Sequence, residues 1–278
     1  MPSALCEKLS TLNSQLSNPQ LSTLQLSTLN SPLSTLNVYS SLHDLLFPRL
    51  CSGCGQRLAL DERYICGECS VQLPFETGHD WTSNRRMHQW ADHMCLERIG
   101  ALMRYEHDNV AAGIIRSLKY NRRFELGRWM GRMAVEHLAD SGLFAGVDVL
   151  LPLPLTRARF RFRGFNQAEY IARGMAEVLG VPVLTRTLRR VVERESQTHF
   201  THDQRLLNAR HVFELQEADG LEGRHVMLVD DVMTTGTTLL GALEVVEQMP
   251  RVRISCFAWA WVMLSGASMA RSRAGEHT

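Results

Sequence analysis

The sequence predicts an α/β fold, with a mostly parallel β-sheet flanked by helices and a small four-cysteine module in front of it. From Arg98 onward, short apolar runs alternate with segments whose apolar residues recur at helical spacing. This alternation is typical of parallel sheets, because a parallel strand needs a long crossover to bring the chain back. The paired cysteines all precede Arg98, which separates their module from the sheet.

Each predicted element follows from its own pattern. The apolar runs predict strands at 101–105, 147–151, 212–215, 226–229 and 252–258. Apolar faces at helical spacing predict helices through 110–118, 126–138, 168–179 and 239–246. Gly180 and Pro182 end the third of these helices. Ligands of parallel sheets bind beyond the carboxyl ends of strands, where the sequence places Pro152 and Asp230.

Composition divides the 278-residue chain into four parts. Residues 1–40 carry a low-complexity Leu-Ser-Thr-Leu repeat, for which we expect disorder or upstream sequence that is not translated. Residues 42–97 form the cysteine module, 98–262 the sheet domain and 263–278 a tail. A net charge of +1 does not indicate a nucleic-acid partner. We find no secretory signal or membrane span, and with the cysteine usage this predicts a cytoplasmic protein.

Two Cys-x-x-Cys units with a short spacer predict a tetrahedral zinc site. The four thiolate ligands would be Cys51, Cys54, Cys66 and Cys69. A module of this size buries little core, so the metal would stabilise its fold. A cysteine cluster without metal, or a redox pair, is the alternative. A second set could supply another metal, although we expect these residues to be solvated loop residues: His79, His88, His93 and Cys95.

The stretch from Val226 to Leu239 carries the most specific chemistry. Four apolar residues lead into Asp230 and Asp231, and a helix follows the loop made of Thr234, Thr235, Gly236, Thr237 and Thr238. The free N–H groups of a helix N-terminus attract anions, and hydroxyls donate to phosphate oxygens. Ionised carboxylates accept hydrogen bonds from sugar hydroxyls. The stretch therefore predicts a site for a phosphorylated sugar, with an ordinary strand–turn–helix capped by threonine as the alternative.

This stretch resembles the phosphoribosyl pyrophosphate (PRPP) signature of type I phosphoribosyltransferases. Further motifs are similar, in order, to the ComF/GntX family. They are Leu151 to Leu155, the arginines from Arg157 to Arg163, Gly164 to Gln167, Gln197-Thr198, and Arg205 with Asn208. That family joins a four-cysteine zinc module to a phosphoribosyltransferase domain, and it is linked to DNA uptake in natural competence. The resemblance covers about residues 42–262.

The resemblance implies a role for each matching residue. Asp230 and Asp231 would contact the ribose hydroxyls and stabilise the positive charge that develops on the sugar. The residues from Thr234 to Thr238 would bind the 5′-phosphate. Further PRPP contacts would come from Lys119, Pro152, Arg157, Arg163 and Asn166. Mg²⁺ would accompany PRPP and bridge its diphosphate and hydroxyl oxygens.

Some of these residues have simpler interpretations. Alternating arginines are also typical of a solvated edge strand, which would place all four on one face. Lys119 could be a cation favoured by the dipole at a helix C-terminus. The chain departs from the family pattern in its leader, at Arg194 and at Phe200. The last two bear on the preferred acceptor more than on PRPP binding.

Three hypotheses about function follow. The chain could transfer phosphoribosyl from PRPP to an acceptor that the sequence does not identify. It could be a non-catalytic relative that senses PRPP or a related nucleotide. It could instead act with competence proteins on single-stranded DNA, with Phe160, Phe162 and Phe165 stacking on bases between the arginines. The near-neutral net charge argues against strong nucleic-acid binding.

Overall fold

The computed structural model describes residues 48–77, 80–120, 123–191 and 212–262. The described residues all fall in one compact unit that begins at Pro48. The predictions made for the leader, the tail, His79 and the motif residues between 192 and 211 lie outside this part of the chain. Within the described part, no helix combines the length and apolar character needed to cross a membrane.

A four-stranded parallel sheet forms the centre of the molecule. The described part of the chain has six strands, of which four form this sheet. They are β1 (Leu96–Tyr105), β2 (Val149–Pro152), β3 (Leu188–Arg190), β4 (Phe213–Leu215), β5 (His225–Met233) and β6 (Arg253–Val262). The sheet has the order β1-β6-β5-β2, and every neighbouring pair is parallel. Strands β3 and β4 form a separate antiparallel pair. The predicted parallel sheet is confirmed, whereas β3 was not predicted because it is short and polar.

The described part of the chain has seven α-helices, most of which pack on the sheet. They are α1 (Gly67–Val71), α2 (Arg85–Gln89), α3 (Val110–Tyr120), α4 (Phe124–His137), α5 (Arg157–Arg163), α6 (Gln167–Leu179) and α7 (Thr237–Val246), with a 3₁₀ turn at Ala139–Ser141. The four helices predicted from apolar spacing are α3, α4, α6 and α7, and their apolar faces are buried. The central strands β5 and β6 are buried almost throughout, because helices pack on both faces of a parallel sheet.

The structure of the arginine segment excludes the alternative interpretation as an edge strand. Residues 157–163 form helix α5 and not an edge strand, with Thr156 Oγ1 accepting from the N–H of Arg159 at 3.2 Å. Residues two apart on a helix lie about 200° apart around its axis, so the four arginines do not share one face. Phe165 is wrong as a stacking residue, because it is only 7% exposed and packs against Tyr170.

The cysteine segment packs against helix α3. Gly113 lies so close to it that a Cβ there would come within 2.0 Å of the carbonyl oxygen of Gly53. At the other end of α3, Arg123 Nη1 donates to Leu50 O and Ser52 Oγ at 3.2 and 3.0 Å. The cysteine segment therefore contacts α3 at its beginning and the chain just beyond its end.

Candidate functional site

Two neighbouring carboxylates occupy the carboxyl end of β5. Asp231 is 9% exposed, and its Oδ2 lies 3.0 Å from Lys119 Nζ in the last turn of α3. Asp230 Oδ1 accepts a hydrogen bond of 2.8 Å from the backbone N–H of Asp231. The pairing shows that Lys119 does more than cap its helix, since it compensates the charge of Asp231.

Asp230 has a different environment from its neighbour. Burial raises the pKa of Asp230 to about 7, and the negative charge of Asp231 adds to this effect. The N–H of Asp231 and the cations Lys119 and Arg190 oppose the rise without cancelling it. The side chain thus has its pKa close to neutral pH and is sensitive to any cation that arrives with a ligand.

The loop after β5 presents threonine side chains to solvent. Thr234, Thr235 and Thr237 are exposed, and the hydroxyls of the last two lie 2.9 Å apart. Gly236 is the N-cap of α7 and has no side chain to cap the helix. Its φ of 89° and its contact with Trp90 exclude a larger residue, because a Cβ would approach Trp90 Cζ2 to 2.6 Å. The uncapped end of α7 is therefore open to an anion.

The turn after β2 forms the opposite side of this sheet edge. Pro152 pairs in register with Val229, directly before Asp230, and Leu153 donates its N–H to Val229 O at 2.9 Å. Asn166 Nδ2 donates to Leu153 O at 3.0 Å, while its buried Oδ1 has no partner among the described residues. Pro152 thus lies next to the strand position that precedes Asp230, and Asn166 contacts the turn that follows Pro152.

The two arginines of α5 that were predicted to bind PRPP do not contact the carboxylates. Arg163 Nη1 donates to Gln167 Oε1 at 2.7 Å, so its side chain already has a partner. Arg157 is exposed on the first turn of the helix. Neither side chain contacts Asp230 or Asp231.

Two arginines that sequence reasoning missed lie near the site. Arg190 on β3 interacts electrostatically with Asp230 and Arg159, and it lies over the ring of Phe213 at 5.3 Å. Arg86 on α2 donates to the backbone of the loop at Thr234 O. No motif identified them, because Arg86 and Arg190 belong to short elements remote from Asp230 in sequence.

The four cysteines form a compact cluster at the other end of α3. Their sulfur atoms all lie within 4.8 Å of one another, and Cys54 Sγ and Cys66 Sγ are 3.7 Å apart. Four sulfurs at the Zn–S distance of about 2.3 Å in a tetrahedron would be separated by about 3.8 Å. The N–H groups of Cys66 and Gly53 donate to Cys51 Sγ at 3.2 and 3.4 Å. The cluster can hold a metal such as zinc.

Backbone donors also favour the thiolate that such a metal requires. Burial works against ionisation of Cys51, but the surrounding backbone N–H groups outweigh it and lower its pKa to about 7. Burial and the neighbouring sulfurs raise the pKa of Cys69.

The residues considered for a second metal are placed differently from the expectation. His93 Nδ1 lies 2.8 Å from Glu247 Oε2, and Cys95 Sγ lies 3.7 Å from the same oxygen. These two residues are therefore in contact with the end of α7 and are not solvated, whereas His88 is exposed. Among the described residues, only the four cysteines meet the geometry of a metal site.

Comparison with known proteins agrees with this architecture. The family model described as phosphoribosyl transferase domain matches residues 166–264. DNA utilization protein YhgH of Salmonella typhi is 26% identical over 212 residues, covering 70% of this chain and 89% of that protein. Competence protein F of Haemophilus influenzae is 27% identical over 194 residues, covering 68% and 80%. Competence protein ComFC of Bacillus subtilis is 37% identical over 91 residues, covering 33% and 35%.

The chain is thus similar to competence proteins F and ComFC and to DNA utilization protein YhgH, and it carries a phosphoribosyl transferase domain. Its parallel sheet with flanking helices is a phosphoribosyltransferase-type domain, and the cysteine cluster of its N-terminal region fits a zinc module. The two features share helix α3, since the cysteine segment contacts Gly113 and the last turn carries Lys119.

Proposed function

We propose that this protein binds PRPP with Mg²⁺ at the edge of the sheet where β2 and β5 end, and transfers its phosphoribosyl group to an acceptor. The observation that carries the proposal is the position of the Lys119–Asp231 pair and Asp230 directly before an uncapped helix N-terminus. A sugar phosphate needs both parts, because its phosphate requires N–H and hydroxyl donors and its hydroxyls require acceptors.

In this proposal the loop residues bind the 5′-phosphate. The exposed hydroxyls of Thr234, Thr235 and Thr237 donate to its oxygens, together with the N–H groups of the first turn of α7. The dipole of this 10-residue helix adds a favourable interaction with the phosphate charge. Because Gly236 has no side chain, the loop packs directly against Trp90 and its backbone stays accessible to the anion.

The carboxylates act on the sugar ring. Asp230 and Asp231 accept from the ribose hydroxyls and stabilise the cationic character that C1′ gains as diphosphate departs. Lys119 keeps Asp231 oriented. Mg²⁺ would enter with PRPP and neutralise charge on the leaving diphosphate, and the raised pKa of Asp230 marks a carboxyl that still lacks a full cationic partner.

A thermal-shift experiment tests PRPP binding. Mg–PRPP should raise the melting temperature of the wild-type protein but not that of an Asp230→Asn, Asp231→Asn double variant. Asp140→Asn, an exposed change in the 3₁₀ turn, is the matched control and should respond like the wild type. No shift in the wild type would reject PRPP binding. Diphosphate release on addition of candidate bases then separates a transferase from a sensor.

We also propose that Cys51, Cys54, Cys66 and Cys69 bind structural Zn²⁺. The spacing of their sulfur atoms and the backbone donors to Cys51 support this assignment. All four positions would be filled by protein thiolates, which is typical of a structural and not a catalytic zinc.

Binding of single-stranded DNA is a second candidate function. Phe160 and Phe162 on α5 are 49% and 69% exposed, and Tyr120, which contacts Phe162 edge-on at 6.3 Å, is 64% exposed. Exposed aromatic rings beside arginines are suited to stacking on unpaired bases. The names of the bacterial relatives, which refer to competence and DNA utilization, agree with this candidate.

A gel-retardation assay at two salt concentrations tests the second candidate. A Phe160→Ala, Phe162→Ala variant should bind a labelled single strand more weakly than the wild type at both concentrations. An effect of salt alone, with equal binding of the two proteins, would leave only nonspecific attraction to phosphates.

A further inference from the structure

Arg86 is a buried cation directly behind the phosphate loop. The residue is 6% exposed and belongs to the short helix α2. In sequence this helix follows the cysteine segment and precedes β1. Its Nη2 donates to Thr234 O and to Val262 O, both at 2.9 Å. One guanidinium nitrogen thus connects the loop after β5 to the end of β6.

The other terminal nitrogen has no partner. Arg86 Nη1 is buried and makes no hydrogen bond with any described residue. It faces the loop, since it lies 3.6 Å from the position that a Cβ on Gly236 would take. Buried donors without acceptors are rare in folded proteins, and they often mark a place where a ligand atom belongs.

The charge of Arg86 is also uncompensated. Its partners in the described part of the chain are two neutral carbonyls and the ring of Trp261, over which the guanidinium lies at 5.5 Å. Burial and then the charge of Arg85 lower the pKa of Arg86, and no carboxylate opposes them. Keeping a cation buried without an anion costs several kcal/mol, which an arriving anion would offset.

Contacts with its own N-cap, with β1 and with the loop fix the position of α2. Asn84 Oδ1 accepts from the N–H groups of Arg86 and Met87 at 3.0 and 3.1 Å, and Asn84 Nδ2 donates to Ile99 O on β1 at 2.7 Å. Trp90, at the end of α2, packs against Gly236. The guanidinium is therefore held in place before any ligand binds.

We propose that Arg86 supplies positive charge to the 5′-phosphate from beneath the loop of residues 234–238, so that the N-terminal region of the chain is part of the phosphate site. This inference rests on the proposed binding of PRPP. It adds a residue from outside the matched phosphoribosyltransferase segment, which begins at residue 166. The ligand class is a phosphate monoester, bound by the N–H and hydroxyl groups of the loop with the buried guanidinium beneath them.

The test compares Arg86→Gln with Arg85→Gln, which removes the same charge from an exposed position on the same helix. Ribose 5-phosphate should bind Arg86→Gln at least tenfold more weakly than wild type, and Arg85→Gln within twofold of wild type. Mg–diphosphate, which lacks the 5′-phosphate, should bind all three proteins alike. Equal affinity of Arg86→Gln and wild type for ribose 5-phosphate would overturn the inference.

A second readout separates charge from a purely structural contact. The ³¹P resonance of bound ribose 5-phosphate reports the second ionisation of the phosphate, which a nearby cation shifts to lower pH. Arg86→Lys keeps the charge, so the second ionisation of the bound phosphate should stay at low pH. In Arg86→Gln this ionisation should move to higher pH. An unchanged titration in Arg86→Gln would contradict the inference. Failure of the wild type to bind either PRPP or ribose 5-phosphate would instead reject the proposed function itself.

Discussion

The cysteine cluster and the phosphate loop gather their groups in opposite ways. All four cysteines come from one short segment, and their sulfurs already stand at the spacing of a tetrahedral site. The loop site draws on α2, α3, β3 and β5, and its charges are only partly compensated. This contrast indicates that the cysteine cluster stabilises the fold, whereas the loop site keeps donors and a titratable acid for a ligand.

The largest effect should come from removing a ligand of the cysteine cluster. Cys51→Ser removes one of the four ligands, and we expect loss of metal together with at least about 3 kcal/mol of stability. Metal analysis and urea unfolding measure the two effects. Cys95→Ser, outside the cluster, should keep the metal. Full zinc content in Cys51→Ser would contradict the four-thiolate assignment.

A loop glycine should be the next most sensitive position. Gly236→Ala puts a side chain at φ 89° and against Trp90 at 2.6 Å, so we expect a loss of about 2–4 kcal/mol and weaker PRPP binding. Gly241→Ala in the same helix is the control. A Cβ there meets only Phe213 at 3.8 Å, and the change should be neutral or stabilising by about 0.5–1 kcal/mol. Equal effects of the two changes would show that the loop is not tightly seated.

The two carboxylates should respond to substitution with opposite signs. The raised pKa of Asp230 means that ionisation destabilises the fold progressively from about pH 4, with the full cost above pH 7. The Asp230→Asn variant should therefore be more stable than the wild type at pH 8. Its free energy of unfolding relative to the wild type should be about 1–3 kcal/mol larger at pH 8 than at pH 5. Asp231→Asn breaks the pair with Lys119 and should lose about 1–3 kcal/mol at pH 7. Urea unfolding at the two pH values measures both, and a loss of stability in Asp230→Asn at pH 8 would be inconsistent with this account.

The smallest expected effect concerns Arg190. Removing its charge in Arg190→Met should raise the pKa of Asp230 by a fraction of a unit, because Arg190 is among the cations that favour the carboxylate. An NMR titration of the Asp230 carboxyl carbon gives the midpoint. Arg189→Met, whose partner is Glu214, should leave that midpoint in place.

What the sequence could predict depended on how local each feature is. The cysteine spacing and the run from Asp230 to Thr238 are contiguous, so their chemistry is legible in the chain itself. The parallel sheet followed from apolar periodicity. Arg86 and Arg190 could not be found, because only the fold brings them to the loop and to Asp230. The arginines of α5 also fitted an edge strand, because alternation with phenylalanine imitates the period of a strand.

Calorimetric titration of Mg–PRPP at pH 7, in two buffers with different heats of ionisation, tests the central claim most directly. We expect saturable binding of one PRPP per chain, with protons released as Asp230 becomes fully ionised beside the bound ligand and its Mg²⁺. Asp230→Asn should lower this proton release. Absence of binding heat, or binding whose proton release is unchanged in Asp230→Asn, would contradict this claim.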